Sequence, residues 1–454
     1  MSQLKEKLLR FLRENPIFSR FLKNSGYMFS SSTISVGLVA VQAVLAARLL
    51  GKESLGLITL VMAITTTVNQ LFSFRMGEYV IRFYGKAKSE NNRDQIFSVI
   101  RTSAVIESIT SICAFVFLYF MAPLLAKAFI KSYPIDLSIQ LLHFFGLTIL
   151  FNLVTETANG ILRITNRFKI QALLQLIQAI VTFTIITLAF FFGWGLQEVL
   201  IAYFVGKIVI GSGPIIMAIQ AMNKDYGKYW FSATSHSRTS LKETLHFSIS
   251  TNLSATIKMI ASESWPLWLG VFLDTGSVGI FKVAMSVVNL LTIPITPLIS
   301  TAFPDITRSV VTKQWQELRR LLKQITLLAA AWTVPAALFM VLMGKWLVWI
   351  FGKDYPESYG TMLFLLLGYS VTNIFFWNRT LLLSFGKANI PLYILAAGAA
   401  VKIALAFIMI PRFGANGEAA LLSGYFTVTT LVLIWIGINM IRSAELLDRT
   451  TEAV

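Results

Sequence analysis

Apolar residues in this chain neither alternate with polar ones nor gather on one face of short helices. They come in runs of about 20, from one end of the sequence to the other. As a helix, such a run crosses the ~30 Å hydrocarbon layer of a membrane, and the alternating pattern of a barrel strand is absent. The runs predict twelve spans, over 25–50, 55–75, 96–121, 139–162, 170–192, 198–219, 245–272, 277–303, 322–343, 361–385, 391–411 and 417–440. No stretch remains for a soluble domain. The composition agrees: among 454 residues 56% are hydrophobic and 13% charged, with a mean hydropathy of +0.69.

The polar remainder orients the chain. With the N-terminus inside, 25 lysines and arginines fall in inner segments and 6 in outer loops, the bias that keeps basic loops in the cytoplasm. Both termini are then expected inside. Net charge of +17 reads as this topology signal, and without a basic soluble domain nucleic acid is not an expected partner. Residues 1–23 carry Leu4, Leu8, Phe11 and Leu12 on one helical face, flanked by Lys5, Lys7, Arg10 and Arg13. This pattern suits either a helix lying on an anionic inner leaflet or a disordered basic tail, and it lacks the apolar core of a signal peptide.

The chain also repeats. Residues 128–147 align without gaps to 350–369, pairing Phe129 with Phe351, Lys131 with Lys353, Tyr133 with Tyr355, Pro134 with Pro356 and Gly146 with Gly368. Residues 49–63 align to 272–286, with Gly56 opposite Gly279. Two tandem six-helix bundles of the same orientation are therefore expected: 24–222 and 245–442, joined by an inner linker 223–244, with a basic segment 1–23 before them and a tail 443–454 after. Parallel repeats of this kind place a substrate site between halves near the midplane.

The segments "LLGKESLGL", "YVIRFYGKA", "FPDITRSVVTKQWQELRRLLKQ", "FGKDYPESYGTMLFLLLGY" and "FGANGEAAL" resemble, in their order, those of the multidrug/oligosaccharidyl-lipid/polysaccharide exporter superfamily. They look most like its polysaccharide transporter branch, which includes the O-antigen flippases. The resemblance implies an all-α inner-membrane protein that moves undecaprenyl-pyrophosphate-linked oligosaccharide between leaflets by alternating access. It further implies coupling to H+ or Na+ and a possible polysaccharide polymerase as partner.

Charges inside the spans are the candidate chemistry. Lys207, Lys258 and Lys402 fall near span centres, and Lys282 and Arg379 a few residues off centre. A central lysine costs at least ~2.5 kcal/mol, so each should face a cavity or a partner. In span seven Ser250, Ser254, Lys258 and Ser262 recur every fourth residue; in span eight Lys282, Ser286, Asn289 and Thr296 share a face; in span five Gln171, Gln175, Gln178 and Thr182 form a column. Such stripes either line a cavity or glue helix to helix. The cationic set fits a pyrophosphate, with Gln171, Gln175, Gln178, Asn289, Asn373 and Asn378 as candidate sugar contacts. Glu107, Glu156 and Glu263 are candidates for ion coupling, or else neutralise nearby lysines. Glu263 stands five residues after Lys258, about 140° round an α-helix, so no pair within the helix is expected.

Other chemistries are weaker. One cysteine, three scattered histidines and Gly-Lys pairs never followed by Ser or Thr offer no metal site, cofactor or Walker loop for ATP. A multidrug cation antiporter of the same fold would need an acidic, aromatic cavity. A polymerase or acyltransferase would need catalytic clusters that the longest loop, about 24 residues between Asn223 and His246, does not hold.

Overall fold

The computed structural model describes residues 16–227, 230, 252, 256–387 and 389–452, with side chains from Ser35 onward except at 297, 300 and 449–452. Residues 1–15, most of the expected linker, and Ser250 and Ser254 lie outside the described residues. Among the described residues every regular element is helical, and nine helices are long and apolar enough to cross a membrane. Large apolar side chains point outward along them, Phe120 71%, Phe191 78% and Leu342 70% exposed. That arrangement is stable only against hydrocarbon, and the protein is a multi-pass membrane protein.

The longest elements join neighbouring spans. α1 (Pro16–Phe72) and α14 (Asn389–Glu452) each run through two predicted spans and break at one residue, Gly51 with φ 68° and Gly414 with φ 59°. An L side chain at such a φ costs ~1–2 kcal/mol, so glycine marks both corners. Other predicted spans are interrupted. Span four comprises α4 (Ile135–Gly146), a 3-10 turn Leu147–Asn152 and α5 (Thr155–Ile164). Span eight comprises α9 (Thr275–Thr292) and α10 (Ile295–Val311), and Pro294, which lacks an N–H to continue a helix, stands at the break. Span ten comprises α12 (Ser358–Ile374) and α13 (Asn378–Ser384). The remaining elements are α2 (Met76–Ser89), α3 (Arg93–Phe129), α6 (Phe168–Phe192), α7 (Leu196–Tyr226), α8 (Trp265–Phe272) and α11 (Trp315–Trp349).

The helices gather into two compact units, one Gly37–Gly279, the other Ile280–Val454 with the described chain before Gly37. In the first, Met76, Tyr79, Val80 and Tyr84 recur at helical spacing on α2. They pack onto Ile96 and Ile100 of α3, Ile161 and Leu162 of α5, and Met222 of α7. In the second, Leu318, Leu322, Ile325 and Ala329 form the same kind of stripe on α11, buried with Ala302 and Ile306 of α10 and Leu381 of α13.

The repeat has a packing meaning. A Cβ on Gly56 would collide with the Thr275 carbonyl oxygen, and one on Gly279 with that of Lys52. Lys52 and Thr275 are separated by the same 223 residues as Gly56 and Gly279, so the two aligned segments clasp each other reciprocally, backbone on backbone. Gly146 and Gly368 are also crowded, a Cβ there lying 2.8 Å from Leu118 Cδ2 and 2.6 Å from Ser423 Cα, respectively.

Candidate functional site

A polar cavity of about 280 Å³ opens inside the unit Gly37–Gly279. Three stretches of chain build it. At the first, α1 ends and the chain turns into α2 through Arg75, a non-glycine residue in the left-handed region (φ 48°, ψ 48°). Strain of that kind persists only where the surroundings fix it. It sets the Arg75 guanidinium 3.1 Å from Glu78 Oε1, with Gln70 and Ser73 beside them on the wall.

The second stretch is the broken span four. The first N–H groups of a restarting helix have no partner of their own. Glu107, buried on α3, supplies one: its carboxylate accepts from the N–H of Glu156 (2.7 Å), the N–H of Thr157 (2.9 Å) and the hydroxyl of Thr157 (2.7 Å). The carboxyl group also stands at the positive end of the α5 dipole. Glu107 thus holds α5 in place, and Glu156 and Arg163, seven residues apart on one face of α5, line the cavity.

The third stretch, 256–263, precedes Pro266, which cannot donate to the carbonyl four residues back and whose ring displaces it. The turn in front widens to a π-helix over Met259–Glu263, closed by the Ser264 N–H on the Met259 carbonyl (3.0 Å). In a π-turn, residues five apart stand one above the other. Lys258 Nζ therefore lies 3.0 Å from Glu263 Oε1, which corrects the expectation from ideal α-helical geometry that these side chains diverge. Both line the cavity with Asn252 and Thr256.

The cavity wall carries three cations and three carboxylates. Two cations are neutralised by Glu78 and Glu263; the side chains of Arg163 and Glu156 have no hydrogen bond or ion pair among the described residues. Mixed charges, amides and hydroxyls give such a surface many directional contacts for a hydroxyl-rich, anionic ligand.

Of the residues singled out by sequence, Lys258, Glu156 and Glu263 meet here. Glu107 stands behind the wall as a cap. Lys402 Nζ is 2.6 Å from Glu418 Oε1 in α14, both side chains buried. Lys207 on α7, Lys282 on α9 and Arg379 on α13 make no side-chain hydrogen bond or ion pair among the described residues. Gln171 donates to Asn159 Oδ1 (2.8 Å) and Gln178 to Thr182 Oγ1 (3.3 Å), so these amides serve contacts between and along helices, while Gln175 is exposed. Asn373 donates to the Leu291 carbonyl and Asn378 to that of Phe375; Asn289 is exposed.

Arg75 and Arg163, which stand at the ends of predicted spans two and four, are not among the residues that the sequence singled out. Nor is Glu418, which lies at a predicted span edge yet well inside α14. A buried lysine without a visible counter-charge was the available signal for Glu418.

Comparison with known proteins places these features. The profile of polysaccharide biosynthesis proteins matches residues 21–310, and the MatE profile matches 253–408. The inner membrane protein YghQ of Escherichia coli strain K12 is 23% identical over 350 residues, 75% of this chain and 95% of that one. The fold is that of a multidrug resistance MATE family transporter in an inward-facing conformation (TM-score 0.74, 14% identity, 90% of this chain and 95% of that one). It is equally that of the lipid II flippase MurJ in an inward closed conformation (TM-score 0.70, 15% identity, 92% and 90%). The chain belongs to the polysaccharide biosynthesis protein family, within the superfamily of multidrug/oligosaccharidyl-lipid/polysaccharide exporters, whose members here are transporters and flippases.

Proposed function

We propose that this protein flips a polyprenyl-pyrophosphate-linked oligosaccharide, an O-antigen or other surface-polysaccharide repeat unit, across the inner membrane by alternating access. The observation that carries the reading is the cavity between α1, α5 and the π-turn. Lys258, Arg75 and Arg163 offer donors to a pyrophosphate, and Gln70, Ser73, Asn252 and Thr256 offer them to sugar hydroxyls. The family match spans all of these residues. Charge-assisted contacts of this kind recognise phosphate oxygens with direction as well as strength.

Lys207, Lys282 and Arg379 are retained as candidates for further contacts with the pyrophosphate. Twelve spans, both termini in the cytoplasm, and two six-helix halves divided near 223–244 complete the scheme. Glu156, a carboxylate on the cavity wall without an ion partner among the described residues, is the site of H+ or Na+ coupling. A second reading, export of organic cations, is favoured by the MatE match over 253–408 and by the three wall carboxylates. The wall cations oppose it.

Reconstitution separates the two. Liposomes carrying the purified protein should move a fluorescent pyrophosphate-linked glycolipid between leaflets and leave a fluorescent organic cation outside. Movement of the cation alone would overturn the flippase reading.

A further inference from the structure

The unit Ile280–Val454 contains a second cavity, about 410 Å³, of different character. It is a groove between α11 and α14. Arg319, Leu322, Lys323, Thr326 and Leu327 share one face of α11, and Ile438, Ile441 and Arg442 share one face of α14. The floor is Trp377, buried, its Nε1–H donated to Thr326 Oγ1 at 2.7 Å. The two helices run antiparallel, because Lys313 and Trp315 at the start of α11 both reach Asp448 near the end of α14 (2.6 and 2.8 Å).

That geometry gives the groove a direction. Arg319, Lys323 and Arg442 crowd the end closed by these contacts, and the walls become apolar toward Leu327 and Ile438, with the Thr326 hydroxyl taken up by Trp377; Leu327 and Ile438 are 59% and 38% exposed on the outward surface. Arg319 is neutralised by Glu445 at 2.5 Å. Lys323 and Arg442 have no ion-pair partner among the described residues, and no carboxylate lines the groove. A cationic head, an apolar trough and an opening toward lipid match an anionic amphiphile in sign, in order and in access. Basic pockets between membrane helices near a leaflet surface bind acidic lipid headgroups by the same logic.

We propose that this groove is a binding site for an anionic phospholipid of the surrounding bilayer. Its phosphate lies between Lys323 and Arg442, and an acyl chain runs along Leu327 and Ile438. The site is separate from the polar cavity of the other unit and takes a resident lipid, as distinct from cargo.

Native mass spectrometry of the detergent-purified full chain, titrated with phosphatidylglycerol or phosphatidylcholine, tests it. The wild type should retain phosphatidylglycerol preferentially. The K323Q/R442Q double variant should lose that preference by roughly 10-fold or more, since both cations that would meet the headgroup are removed. K323R/R442K, which keeps both charges, should retain it and shows whether loss reflects misfolding. Equal retention of the two lipids by wild type, or undiminished preference in the double glutamine variant, would overturn the proposal. So would displacement by millimolar inorganic phosphate, which marks a simple anion site, or by equimolar polyprenyl pyrophosphate, which assigns the groove to the substrate path.

Discussion

Two Lys–Glu pairs stand inside apolar helices of this protein, and they differ in almost everything but chemistry. Lys402 and Glu418 meet at 2.6 Å with 2% and 0% of their side chains exposed; Lys258 and Glu263 meet at 3.0 Å with 60% and 46% exposed. The first pair is sealed within α14, where each charge is tolerable only because the other is present. The second faces a polar cavity across a π-turn, where water screens it and a ligand can compete for either partner. A charged residue in a membrane span is thus no sign of a substrate path until its exposure is known. Depth in the predicted spans ranked Lys402 with Lys258, and the packing separates them.

The comparison can be broken most forcefully at the buried pair. Lys402→Ala or Glu418→Ala should each cost about 3–5 kcal/mol of stability, because the surviving charge is left buried alone. Replacing both, as in K402M/E418M, should restore most of it. Thermal unfolding of the purified variants in detergent reads this directly, and a double variant as unstable as the singles would refute it.

Glu107 occupies an intermediate place, buried like Glu418 but satisfied by helix N–H groups in place of a lysine. Glu107→Ala removes three accepted hydrogen bonds and should cost about 2–3 kcal/mol. Hydrogen exchange should rise selectively at the first turn of α5, and unchanged protection there would dismiss the capping role. At the exposed pair, Lys258→Gln or Glu263→Gln should alter stability by no more than about 1 kcal/mol. A larger drop in unfolding temperature would mean that the π-turn depends on the pair.

Much of the architecture was legible in the order of apolar runs. Their length and recurrence predict most of the described helices, though not α2 (Met76–Ser89), which is too short and too polar to read as a span, and the aligned glycines Gly56 and Gly279 turn out to clasp the opposing Lys52 and Thr275 backbones. The site was less legible, for two physical reasons. Helical wheels assume a uniform 100° step, and Pro266 breaks that assumption just where Lys258 and Glu263 lie. Contacts between distant spans, such as Glu107 with α5 or Lys402 with Glu418, depend on how helices pack, which no local pattern encodes. For the same reason the glutamine column could be found as a stripe, while Gln171 reaching Asn159 could not be anticipated.

The central claim is that the accessible pair belongs to transport and the buried pair to the fold. Its most direct test measures leaflet-to-leaflet movement of a fluorescent pyrophosphate-linked glycolipid in liposomes holding equal amounts of folded wild type and K258Q. A fall of about 10-fold or more in K258Q, equivalent to ~1.4 kcal/mol, with unfolding temperature unchanged, is the predicted result. Movement at the wild-type rate would contradict it.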